Sequence, residues 1–393
     1  MIKEAIMKNF RKLSALLLAL CMAAALLAGC SDGKSGSDSN SGSGSSSAPP
    51  AASTQGASGD VIYDGDGTVY MAITDSRIAR CLSFDVPFVE KWLNIYAPNV
   101  ELKVIDPLGD NQKQLQQIEG AVASGCDFLV YMPCDEYSAA GALNFLNSEE
   151  IPFCSLAHTP FGGNVPMFVT MPFPSIAQQY VDYMENEILP DAGGPLKIAG
   201  IWGAQGFLFY DQLLGVYSEA FERWEREGKV EVVFEADTND WSANPAVPVA
   251  EQMLTQTGND VDVIFTMNDD IMTGIVSVLK EQDIVEDVLL LGGCDSTVEG
   301  LARTQEGWQV ADVLPNYEEQ SKAVAKIAAT YLATGEYPLD MANGATDNEF
   351  VEGGIPSVMM DALMITKDNI AEEIVGKGVT TQEAIDDVAK TLR

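Results

Sequence analysis

Asn268, Asp269 and Asp270 stand together where an apolar run stops, in VIFTMNDDIMTG (263–274). Three adjacent polar acceptors suit four kinds of chemistry: metal ligation, acid–base work, helix capping, or the holding of a polar ligand. Metal ligation asks for further carboxylates at ligand spacing, and none accompany these. Capping suits Asp, whose oxygens accept the free backbone N–H groups of a helix start, so Asp269 or Asp270 is the expected cap. Asn268 carries an amide that both donates and accepts, which suits a hydroxylated ligand. Asp295, in GGCDS, faces the same choice between cap and ligand. Trp241, in DTNDWSANPA, is either a packed loop aromatic or a face on which a pyranose stacks. Trp202, in GIWGAQG, and Phe207 just after it are weaker candidates of the same kind. His158 is the one histidine, and a lone histidine is most often structural. The chain has no Gly-x-Ser-x-Gly, and nothing marks one carboxylate as acid and another as nucleophile, so an exported glycosidase is the lesser reading. DGDGT (64–68) opens like a calcium loop, but Val69 stands where that loop needs Gly.

The segments that must position these residues alternate from Gly67 onward. Short β-rich runs such as TVYMAIT (68–74), DFLVYMP (127–133), LKIAGIW (196–202) and DVLLLGG (287–293) are separated by stretches with helical spacing, such as Ile271, Ile275, Val278 and Leu279. Apolar strands alternating with helices predict an α/β fold with parallel sheets covered on both faces. About nine such strands exceed one typical sheet, which favours two lobes. In open parallel sheets the ligand crevice lies beyond the carboxyl ends of the strands. The candidate residues all follow such ends.

The N-terminus reads differently. Lys3, Lys8, Arg11 and Lys12 precede an apolar run that closes in LLAGC at Cys30, the layout of an export signal. LLAGC resembles the lipobox of bacterial lipoproteins, which implies cleavage before Cys30 and acylation of its thiol. Residues 31–60 lack aromatics, Leu, Ile, Val and Met, and read as a flexible tether. The formal net charge of −36 argues against nucleic-acid partners, which call for clustered Lys and Arg. Five cysteines remain beyond Cys30. Their spacing matches no zinc pattern, and a disulfide among Cys126, Cys134 and Cys154 stays open.

Two longer stretches carry a family resemblance. QLQQIEGAVASGCDFLVYMPCDEYSAAGALNFLNSEEIPF and VIFTMNDDIMTGIVSVLKEQDIVEDVLLLGGCDSTVEGL, together with MITKDNI (364–370), resemble the solute-binding lipoproteins of ABC transporters with the type I periplasmic-binding-protein fold, in its sugar-binding branch. The resemblance implies two doubly wound parallel-sheet lobes, a three-segment hinge and a ligand cleft between the lobes. It assigns 1–29 to a lipoprotein signal, 30–65 to the lipid-anchored tether, 66–171 and 316–340 to the N-terminal lobe, and 172–315 and 341–393 to the C-terminal lobe. It puts Asn268 and Asp295 at sugar-contacting positions and favours an aromatic at Trp241. His158 stands where the family has an Arg, after Ala157 in place of the family's Asp. Tyr210 stands near a second absent Arg, and Asn316 replaces a crossover Gln. Ser76 and Arg77 follow the first strand, where the family uses polar groups. These departures argue against a simple ribose- or glucose-type site. The expected protein is an extracytoplasmic, membrane-anchored monomer that is not an enzyme. It captures a small sugar, by cleft closure, for ABC permease subunits, and it uses no cofactor or metal. A ligand-sensing receptor subunit and a nucleoside-binding lipoprotein are the alternatives.

Overall fold

The computed structural model describes residues 61–392. The expected signal segment, Cys30 and most of the tether lie outside the described residues. Ile62 and Tyr63, expected at the tether's end, already pack on the first hydrophobic core, and both donate backbone N–H groups to the Tyr96 carbonyl, at 2.8 and 3.0 Å.

The strands are β1 (Gly67–Ala72), β2 (Val100–Ile105), β3 (Phe128–Tyr131), β4 (Phe153–Leu156), β5 (Phe168–Thr170), β6 (Leu196–Trp202), β7 (Val230–Asp237), β8 (Val263–Phe265), β9 (Leu289–Leu291), β10 (Asp312–Leu314), β11 (Gly344–Thr346), β12 (Ile355–Met359) and β13 (Leu363–Ile365). The first sheet runs β11-β12-β5-β4-β3-β1-β2, and the second runs β7-β6-β8-β9. Every pairing in them is parallel except β11 with β12. An antiparallel ribbon of β10 and β13 lies where the chain crosses.

The α-helices are α1 (Val86–Tyr96), α2 (Asn111–Ala123), α3 (Ala140–Ser148), α4 (Pro174–Tyr183), α5 (Leu208–Arg226), α6 (Ala243–Thr257), α7 (Asp269–Glu281), α8 (Val298–Glu306), α9 (Tyr317–Thr334) and α10 (Gln382–Leu392). Successive side chains of a strand point to opposite faces, and the first sheet uses both. Val69, Met71, Phe128 and Val130 pack with Leu93 of α1 and Val324 of α9. Ala72, Leu129 and Tyr131 pack with Ile118 of α2 and Leu143 of α3. That double cover is why the strands read as unbroken apolar runs rather than alternating ones. Gln114 of α2 then fixes the strand ends. Its Nε2 donates to the carbonyls of Ile73 (3.0 Å) and Met132 (2.8 Å), and its Oε1 accepts from the Cys134 N–H (3.2 Å).

The chain passes between the two sheets three times: after β5, at Pro315 and Asn316 between β10 and α9, and between β12 and β13. The third crossing corrects the expected boundary at residue 340. β12 pairs with β5, Ser357 opposite Phe168, so residues 344–359 complete the first sheet. The boundary at 340 comes from the family resemblance, and nothing local to residues 344–359 marks their distant partner β5. The five cysteines of the folded part are all free.

Candidate functional site

The strand ends of both sheets converge on one cleft of about 650 Å³, its open mouth included. Thr74 follows β1, His158 follows β4, Met171 and Phe173 follow β5, Phe207 and Phe209 follow β6, Trp241 follows β7, Asn268 follows β8, Asp295 follows β9 and Pro315 follows β10. The loop after β1 adds Ile78, Arg80 and Cys81.

One wall is aromatic. The Phe209 and Trp241 ring centroids lie 4.6 Å apart, and Phe207 meets Trp241 edge-on at 6.0 Å. Phe173 packs against Phe209 at 5.6 Å. The indole Nε1 of Trp241 is buried without a hydrogen-bond partner.

The polar groups are few. Asn268 is the N-cap of α7: its Oδ1 accepts from the Ile271 N–H at 3.0 Å, and its Nδ2 donates to the Trp241 carbonyl at 3.0 Å. One lone pair and one N–H remain on the amide. This corrects the expected division of labour, since neither aspartate caps the helix. Asp269 is fully buried, and its Oδ2 accepts from the Thr297 backbone N–H (2.8 Å) and hydroxyl (2.9 Å). Asp270 reaches into the other lobe, where its Oδ2 accepts from the Ala79 N–H at 3.1 Å.

Asp295 sits on a left-handed backbone with φ of 104° and accepts a hydrogen bond from the Tyr317 hydroxyl. Burial pushes its carboxyl up to about 8, against the pull of the Arg80 charge. Arg80 is held by Asp85, with Nε to Oδ2 at 2.9 Å, and lies 4.5 Å over the Tyr317 ring. Burial works against the Arg80 charge, but Asp85 and the other acceptors keep its value raised. His158 stacks obliquely on Phe207 and Phe209, at 5.1 and 5.5 Å. Burial, aided by Arg80, holds it well below its ordinary range, so the ring is neutral.

Asn268, Asp295, Trp241, His158 and Phe207 are therefore brought together, and Trp202, Tyr210, Asn316, Ser76 and Arg77 lie elsewhere. Trp202 is in the second-lobe core, stacked on Tyr217 at 5.5 Å with its Nε1 on Glu235. β6 is covered on both faces, so a Trp at its last position faces the core. Tyr210 backs the wall, donating to Asp237 at 2.6 Å, one layer behind Trp241. Asn316 turns its amide to the Asp361 carbonyl at the hinge. Arg77 folds back on Asp75 and is mostly exposed, and the Ser76 N–H meets Asp106 at 3.3 Å. Arg80 and Phe209 were missed. The signal for Arg80 was present: an Arg five residues before Asp85, across a π-helical turn, in a chain poor in cations. Among the described residues no cluster could hold a metal ion, and no helix is long and apolar enough to cross a membrane.

Two α/β lobes that enclose a cavity at their strand ends define a cleft-type binding protein. The profile of the periplasmic binding protein domain matches residues 94–336, and the chain belongs to that family. A D-xylose-binding periplasmic protein of Haemophilus influenzae is 23% identical over 331 residues, covering 82% of this chain and 93% of the relative. Its counterpart from Escherichia coli is 22% identical over 311 residues, covering 78% and 89%. Among solved structures, an ABC transporter solute binding protein from Clostridium phytofermentans with bound β-D-glucose superposes with a TM-score of 0.71 at 19% identity, covering 81% of this chain and 99% of that one. The chain is a binding protein, not an enzyme.

Proposed function

We propose that this protein captures a small, uncharged sugar or sugar-like ring between its lobes, outside the cytoplasm, and hands it to an ABC permease. In this reading a lipid on Cys30 holds it to the membrane, and it acts as a monomer. The observation that carries the ligand class is the composition of the cleft. An aromatic wall of Phe209 and Trp241 stands with Asn268, Asp295 and His158. The one buried cation there, Arg80, is already neutralised by Asp85. A charged ligand would find no free counter-charge, whereas a hydroxylated ring finds a stacking face and groups that donate and accept. The printed ligands of the similar proteins, D-xylose and β-D-glucose, support the same class.

A thermal-shift panel of D-xylose, D-glucose, myo-inositol and adenosine tests this. A bound ligand at a hundred times its Kd stabilises by about 2.7 kcal/mol. Trp241→Ala and Asp295→Ala should each remove the shift of the responding sugar while the free proteins still unfold cooperatively. A shift that survives both substitutions sinks the site, and a response to adenosine alone sinks the ligand class.

A further inference from the structure

Glu136 belongs to none of the roles described so far. It follows β3 in the first lobe, has no exposed surface, and sits behind the cavity wall. Its Oε1 accepts from the Thr159 N–H of its own lobe at 2.6 Å. Its Oε2 accepts from the N–H of Leu208, the first residue of α5 in the second lobe. Its backbone N–H donates to the Gly206 carbonyl, again across the lobes, at 2.9 Å. The His158 Nδ1, a buried nitrogen with no hydrogen-bond partner, lies 3.6 Å from Oε1. His158 itself lines the cavity.

We propose that Glu136 is both a latch and a positioning residue: one carboxylate oxygen holds the second lobe shut at Leu208, and the other orients His158 toward the cavity.

The chemistry follows from what seals the carboxylate. One wall of its enclosure is the Gly206–Leu208 turn, so opening the lobes returns it to water. Closing desolvates it beside Asp135 and Tyr137 on its own loop, Asp211 on α5 and the neutral His158. Burial, with the two acidic neighbours, lifts the closed-state carboxyl to about 8, against an ordinary value near 4.5. A proton from solvent therefore joins Glu136 on closing. With Oε1 protonated, the acid can donate to His158 Nδ1 after a shift of well under 1 Å toward ordinary hydrogen-bond length. Oε2 continues to accept from Leu208. The ring then carries its own proton on Nε2, a donor to a ligand oxygen. Because the closed-state value is raised, closure is favoured at low pH and is lost as pH climbs toward about 8.

Small-angle X-ray scattering of the ligand-free protein between pH 6 and 9.5 tests the proposal, and it can fail or succeed independently of the sugar reading. The wild-type radius of gyration should rise with pH, with the closed-to-open ratio falling about tenfold per unit until pH approaches 8. Glu136→Gln, which imitates the neutral acid, should hold the low-pH radius to higher pH than the wild type, the remaining rise belonging to Asp295 at the cavity wall. Leu208→Pro removes the second-lobe N–H, along with part of a half-buried side chain, at a first helical position where proline is tolerated. Its predecessor Phe207 already has the extended backbone that proline requires, with φ of −129° and ψ of 136°. It should give the larger radius at every pH. A Glu136→Gln curve that rises with the wild type overturns the proposal, as does a wild-type radius that never changes. Should Glu136→Gln not fold by circular dichroism, Leu208→Pro decides: the compact radius at pH 6 refutes the latch, and the expanded radius supports it.

Discussion

Replacing Asp312 with asparagine isolates one buried proton. Asp312 and Asp269 are both fully buried and share a hydrogen bond, and their oxygens converge where a Cβ on Gly300 would lie. Both cannot be charged at such close range. Asp269 has the Arg303 guanidinium and the two Thr297 donors, whereas Asp312 has the Ser296 and Val313 backbone N–H groups and the Gln309 amide, but no cation of its own. Asp312 therefore holds the proton. Burial, followed by the Asp269 charge, raises it well above the carboxylate range. In the unfolded chain it ionises near the ordinary value of about 3.9. Its contribution is thus intact in acid and is lost as pH rises toward the folded value. One proton corresponds to about 1.4 kcal/mol per pH unit between the unfolded and the folded value. The Asp312→Asn amide would keep an N–H donor for Asp269 and would not titrate. Urea unfolding of both proteins at pH 5, 6 and 7 should therefore show the variant gaining on the wild type by about 1.4 kcal/mol per pH unit for as long as Asp312 stays protonated in the folded state. The other buried acids are common to both and cancel. Parallel stability–pH curves would refute the shared proton.

Gly300→Ala should destabilise by about 1–3 kcal/mol in the same assay despite the better helix propensity of Ala, because the added Cβ enters the Asp269–Asp312 contact. A neutral or stabilising result means that the carboxyl pair is looser than described. Asn268→Ala should cost the free protein about 2 kcal/mol, since it removes both the α7 cap and the bond to the Trp241 carbonyl. Asn268→Ser should recover about half of that by restoring the cap alone, and equal losses for the two variants would argue against capping.

The fold was legible because strands buried on both faces are apolar throughout and the helices between them keep a 3.6-residue period. The lining of the candidate cavity was legible where a residue follows closely on a strand: Asn268, Asp295, Trp241 and His158 all do. It was not legible where a side chain's direction depends on packing. Trp202 ends a strand too, but its ring turns onto Tyr217, and Phe209, the second residue of α5, takes the cavity wall instead. Arg80 stands just before the π-helical turn Cys81–Asp85, and only its five-residue spacing to Asp85 marks it in the sequence. The last strand of the first sheet was lost because β12 pairs with β5, a partner nearly two hundred residues upstream, and parallel pairing at that separation leaves no local trace.

The same physics explains why the three acceptors that interrupt VIFTMNDDIMTG do three different things. A chain with 58 acidic and 22 basic residues cannot pair each carboxylate with a cation. The buried acids must instead find backbone N–H groups, hydroxyls or a shared proton. Asp270 finds the Ala79 N–H across the cleft, Glu136 finds Leu208 from the opposite side, Asp295 finds Tyr317, and Asp312 shares with Asp269. Two of these contacts, at Asp270 and Glu136, exist only when the lobes meet. Buried acceptors lose far more by going unpaired than they gain when paired. These two carboxylates therefore resist any intermediate arrangement that breaks the N–H bonds without admitting water, which favours two discrete states, open and closed, over a graded cleft.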